Sequence, residues 1–136
     1  MTRKISETLT AARAIIADPA KWTQQTHARD ASVEAVRIDS KSAICFCLDG
    51  ALALAAGVTV DDAGAWSDSD HYDKSAILLR YVAAELTGAY SYVRINDGDG
   101  LFIENMLPHE GTLALLDRGI DVAKSREELG MERVAP

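Results

Sequence analysis

Apolar residues recur at helical spacing in four stretches of the chain, separated by segments rich in Ser, Thr, Asp and Gly. Ile5, Leu9, Ala12 and Ile16 fall at i, i+4, i+7 and i+11, which is one stripe of an amphipathic helix closed near residues 17–18 by Pro19. From Ile44 to Ala56 the pattern changes, because Ile44, Cys45, Phe46, Cys47, Leu48, Ala51, Leu52 and Leu54 leave almost no polar side. Such a segment predicts a helix at the centre of the domain with neighbours on several faces. Ser40 or Ser42 is placed to cap it and Gly57 to stop it. A third stripe, Ile77, Leu78, Tyr81, Val82 and Leu86, predicts a helix opened by Asp70 or Asp73 and ended by Gly88. After Pro108 a last helix carries Leu113, Leu116, Ile120 and Ala123.

The connecting segments say less. Weak alternation around Val33–Ile38 suggests a short hairpin, and Tyr90–Ile95 a short strand. Asn96-Asp97-Gly98-Asp99-Gly100 is turn chemistry. These elements imply a mainly α fold, an irregular four-helix bundle around the central apolar helix with a small β-hairpin attached. One domain spans residues 1–136, with an ordered core over about 3–124 and a frayed tail over 125–136.

Composition sharpens this picture. The 136 residues are 48% hydrophobic but hold only two Trp, four Tyr and two Phe, so alanine fills much of the core and favours close helix packing. A bundle of this kind gains stability by pairing, and a homodimer is the expected assembly. The net charge of −7 argues against direct binding of nucleic acid, which needs Lys and Arg to neutralise phosphates. It leaves open an acidic decoy that occupies another protein's nucleic-acid-binding surface. No run reaches the roughly 18–20 apolar residues of a membrane span, and the longest candidate, Ala43–Val58, contains Asp49. With no signal-peptide pattern at the N-terminus, the expected location is cytoplasmic, where Cys45 and Cys47 are free thiols.

On a helix, Cys45 and Cys47 would point about 200° apart and could not share a metal or a disulfide. Asp97-x-Asp99-Gly100 fits the third, fifth and sixth places of an EF-hand loop, but Ile95 and Met106 stand where its first and last acidic ligands belong. Asp61, Asp62, Asp68, Asp70 and Asp73 with His71 form an acidic loop whose residues suit either a hard cation or helix capping. His27, His71 and His109 are widely separated, and no phosphate-binding glycine loop is present. No metal or cofactor is expected from these patterns.

Several short strings taken in order carry a resemblance. They are Trp22-Thr23-Gln24, Ala28-Arg29-Asp30, the segment from Cys45 to Leu52, Asn96-Asp97, and Leu115-Leu116-Asp117-Arg118-Gly119-Ile120. Together they resemble an uncharacterised family of small bacterial and phage-associated proteins, from which Ile95 departs by replacing an aromatic before Asn96. The resemblance implies a shared fold and no established activity. It directs attention to Trp22, Gln24, His27, Arg29, Asp30, Asn96 and Asp97 as candidate ligand-binding residues, and to no catalytic residue. On one reading Arg29, Asp30, Asn96 and Asp97 cap helices and turns. On the other they surround a cleft where Arg29 and the positive end of the central helix hold an anion.

The leading expectation is a non-enzymatic, cytoplasmic interaction protein with a protein partner, because no nucleophile, base and orienting group assemble. The rival is a small hydrolase or transferase using His27, Arg29, Asp30, Asn96 and Asp97.

Overall fold

In the computed structural model, residues 4–130 are described, and they form five helices and a two-stranded antiparallel sheet. Helix α1 (Ile5–Ile16) buries the expected stripe of Ile5, Leu9, Ala12 and Ile16 completely. Its first turn is held by the Glu7 carboxylate, which accepts the Lys4 N–H at 3.1 Å. A single 3-10 turn (Pro19–Lys21) follows, capped by Asp18 on the Ala20 N–H.

The central segment is built differently from the continuous helix its apolar run suggests. Cys45–Phe46 form strand β2, paired with strand β1 (Ala28–Arg29), and helix α2 covers only Leu48–Ala55. Ile44 is 52% exposed. Cys47, rather than Ser40 or Ser42, caps the helix, with its Sγ accepting the Gly50 N–H at 3.3 Å. Hydropathy could not separate these states, since a buried strand and a buried helix read alike over a few residues. The helical argument for the thiols therefore does not apply, yet both cysteines are buried and free as expected.

A hairpin does lie near the suggested position. Arg29 bridges Ala35, and Asp30 caps the intervening turn by accepting the N–H groups of Ser32 and Glu34 at 2.9 and 3.0 Å. Helix α3 (Asp70–Thr87) is capped by the Ser69 hydroxyl rather than Asp70 or Asp73, and stops at Gly88 in the left-handed region. Its buried side holds Ala76, Leu78, Leu79, Val82 and Ala83, whereas Ile77, Tyr81 and Leu86 of the expected stripe are exposed. The segment expected as a strand is a fifth helix, α4 (Tyr92–Asp97), capped by Ser91 and closed by Gly98 at φ +64°. Helix α5 (Pro108–Glu128) runs four residues past the expected edge of the ordered core, and Glu127 accepts both the N–H and the hydroxyl of Ser6. Residues 131–136 of the expected tail lie outside the described residues.

Packing centres on α1, which touches α2 and α5, while α3 closes the other side. Gly119 lets α5 approach Leu79 of α3 and Leu9 of α1 closely. Gly50 has a stricter role, because the backbone carbonyl of His27 passes directly over it and leaves no room for a Cβ. The first obstacle is the end of a leucine side chain, which can rotate, and the second is backbone, which cannot. Gly50→Ala should therefore cost about 3 kcal/mol and Gly119→Ala no more than about 1 kcal/mol. Urea denaturation midpoints with unchanged m-values check this, and equal losses at the two sites would contradict it.

Candidate functional site

Asn96 in the last turn of α4 organises the polar corner at the start of α2. It is 2% exposed, and all four hydrogen-bonding positions of its carboxamide are used. The oxygen accepts the Trp22 indole N–H at 2.7 Å and the Leu48 N–H at 3.0 Å, while the nitrogen donates to the Thr23 carbonyl and to Asp97 Oδ1, each at 3.1 Å. Gln24 adds a bond from its amide to the Asn96 carbonyl at 3.0 Å. Asp97 in turn accepts the N–H of Gln25 at 2.9 Å, holding that residue at φ +69°, where a non-glycine residue is strained. These contacts draw residues 22–27 across the end of α4 and bring His27 over α2.

A cavity of about 230 Å³ opens there, lined by Gln25, Thr26, His27, Asp49, Asn96 and Asp97, with Cys47 and Val93 completing the wall. Asp49 supplies its charge. Its Oδ1 accepts the hydroxyls of Tyr72 at 2.6 Å and Tyr92 at 2.7 Å, and its Oδ2 lies 3.2 Å from His27 Nε2. Burial pushes this carboxyl up, but the hydrogen bonds from His27, Tyr72 and Tyr92, with the charge of His27, outweigh burial and hold it below the ordinary carboxylate value. The Asp49 side chain is 16% exposed and that of His27 is 51% exposed, so the pair faces the opening. His27 also packs against Trp66 in a tilted arrangement with ring centroids 4.6 Å apart, and Trp66 meets Tyr72 edge-on at 5.7 Å.

The candidate residues from the sequence divide into three groups. His27, Asn96 and Asp97 line the cavity. Trp22 and Gln24 stand behind it as supports of Asn96. Arg29 and Asp30 sit in the hairpin, where the guanidinium donates to Thr23 Oγ1, the Val33 carbonyl and the Gln24 carbonyl at 3.0–3.2 Å. Arg29 thus ties loops together. The α2 N-terminus is also committed, since its Leu48 and Gly50 N–H groups bind Asn96 and Cys47. Asp49, Tyr72, Tyr92 and Cys47 were not anticipated. The signal for Asp49 was present, as it is the one charged residue within the apolar run from Ile44 to Ala56. The tyrosines carry no comparable mark.

The chemistry open to this cleft is limited by the same charge. Burial, reinforced by Asp49, pushes the Cys47 thiol up to about 11, so it is a neutral apolar group and not a nucleophile at neutral pH. In the acidic loop, Asp61 caps a turn through the N–H groups of Ala63 and Ala65, and Asp70 pairs with Lys74 at 3.5 Å. Among the described residues, no group of three or more His, Cys, Asp or Glu side chains is placed to hold a metal ion.

Fold and cleft together define a small, mainly helical domain with an acidic polar cleft at the start of its central helix. The model of DUF6197, a family of unknown function, matches residues 1–121, and the chain belongs to that family. No curated protein and no solved structure matches it.

The pH dependence of stability follows from the direction of each shift. Asp49 is lowered on folding, so its contribution is present above the unfolded carboxyl value of about 3.9 and is lost as pH falls through the folded value. Tyr72 is raised by burial and then by its bond to Asp49, and Tyr92 by burial and then by the charge of Asp49. Their contribution is present below the unfolded phenol value of about 10 and is lost as pH rises beyond it. Asp49→Asn, which keeps an acceptor oxygen, should flatten the acid limb of stability against pH. In the wild-type chain, phenolate absorbance from Tyr72 and Tyr92 should appear only with alkaline unfolding. A reversible phenolate signal from all four tyrosines in the folded protein would contradict this arrangement.

Proposed function

We propose that this chain is a non-enzymatic, cytoplasmic binding protein that takes a basic group of a protein partner into the cleft beside Asp49. The observation that carries the reading is an ionised carboxylate, fixed by three donors, at the wall of an open cavity that also holds Asp97. An amine or guanidinium entering there meets the carboxylates of Asp49 and Asp97. Pre-organisation lowers the entropic cost of binding, because Asp49 and Asn96 are held before the ligand arrives. A single basic side chain bound this way would have a dissociation constant on the order of 1 mM, with the rest of the affinity supplied by the partner's other contacts.

The enzymatic reading rests on His27 and Asp49, whose 3.2 Å contact is the geometry of a base and its orienting carboxylate. What it lacks is a nucleophile or charge-stabilising donor in the same cleft, since the Cys47 thiol is held neutral and Arg29 is engaged in the hairpin.

Titration of the isotope-labelled protein with N-acetyl-arginine methylamide should shift the amide resonances of Gln25, Thr26 and Asp97, while the norleucine analogue should not. Asp97→Asn, which retains the oxygen that orders Gln25, should weaken the interaction about fivefold through loss of charge. Equal responses to the two compounds would sink the cationic reading. Turnover of chromogenic esters, amides or phosphate esters, lost in a folded His27→Ala variant, would overturn the non-enzymatic one.

A further inference from the structure

Outside the cleft, one surface of α3 is left without an occupant. Ile77 and Tyr81, one turn apart, point away from the core and are 48% and 59% exposed. Tyr90, 64% exposed, packs edge-on against Tyr81 at 5.6 Å and extends this apolar surface toward α4. Two large aromatic rings and an isoleucine gathered on one outward face are more than the scattered exposure expected of a surface helix.

The charges beside this face identify what covers it. Asp73 and Arg80 flank Ile77 on the same side of α3 and enter no ion pair among the described residues. On the opposite flank, Lys74 pairs with Asp70 and Glu85 with Arg118, so those charges are engaged within the chain. In an antiparallel two-fold pairing of identical helices, each flank meets the same flank of the other copy. A two-fold axis between Ala76 and Ile77 stands equally far from Asp73 and from Arg80. It therefore sets Asp73 of each copy against Arg80 of the other, and centres the two Ile77 side chains on one another. Tyr81, with Tyr90 beside it, then covers the first turn of the opposite helix. A parallel two-fold would instead turn this flank toward the opposite flank of the other copy, whose Lys74 and Glu85 are already engaged within the chain. We infer that the occupant is a second copy of this chain, joined through α3 in an antiparallel, isologous dimer that leaves the Asp49 cleft outside the contact.

Sedimentation equilibrium of the full chain should give twice the 14.7 kDa protomer mass, with a dissociation constant on the order of 10 µM. Ile77→Asp should raise that constant at least about tenfold, with the far-ultraviolet circular dichroism unchanged. Asp73→Arg and Arg80→Asp should each weaken the dimer about tenfold, and the double reversal should restore it to within about twofold of the wild type. Raising the salt concentration should weaken the wild-type dimer, as expected of exposed ion pairs. A chain that stays monomeric at about 100 µM overturns the inference. So does a dimer indifferent to Ile77→Asp, or a double reversal as weak as the single changes. The arginine titration of the cleft reads a separate surface, so failure of one proposal leaves the other standing.

Discussion

The carboxamide of Asn96 joins three parts of the chain that lie far apart in sequence. It binds the indole of Trp22 and the carbonyl of Thr23 after the 3-10 turn, the first N–H of α2, and Asp97 beside it. A buried amide with an unfilled position would cost more than the bond itself contributes, so the group is stable only with every partner present. That requirement makes the corner cooperative. Moving residues 22–24 would strand two of the four bonds, and moving α4 would strand nearly all of them.

The cleft is a consequence of this anchoring. Residues 25–27 continue from Thr23 and Gln24 past the end of α4 to the N-terminus of α2, where the His27 carbonyl settles over Gly50. That close approach brings the imidazole to Asp49, while the Cys47 N–H donates to the same His27 carbonyl at 3.2 Å. Asp49 pays for its burial with three donors, two of them from α3 and α4. Through Asp49 the two tyrosines tie the helices surrounding α2 to its first turn, so the cleft wall and the helix packing are parts of one structure.

How much of this the sequence discloses depends on whether a feature is local. The stripe of α1, the stop glycines at 57 and 88, and the turn after Asp97 are set by neighbours a few residues away, and all were legible. The start of α2 was not. Whether Cys45 and Phe46 form strand or helix is decided by pairing with Ala28 and Arg29, some 17 residues upstream, and periodicity carries no record of that partner. Helix α4 escaped for a related reason, as its six residues are too few to show a helical period. Within the site, Asn96 and Asp97 stood out as paired polar residues, but their role as anchors depends on Trp22 and Thr23, more than 70 residues away. Arg29 drew attention through the Ala28-Arg29-Asp30 string of the resemblance, and the structure shows its guanidinium stitching loops.

The electrostatic character of Asp49 decides between the chemistries such a corner can support. A carboxylate stabilised in its charged form lowers the potential of everything near it, which favours an incoming cation and disfavours a second anion. Cys47 records that field directly, because its thiol sits at a helix start that would ordinarily favour the thiolate, yet burial and Asp49 hold it neutral. A hydrolytic site built on the same residues would have to stabilise negative charge developing on a substrate, within reach of two carboxylates and without the guanidinium of Arg29. A binding site needs only that the charge be fixed, accessible and unmatched within the chain. The half-exposed His27 meets Asp49 on one edge only, and Asp97 faces the same cavity, so the negative charges exceed the cations that could answer them.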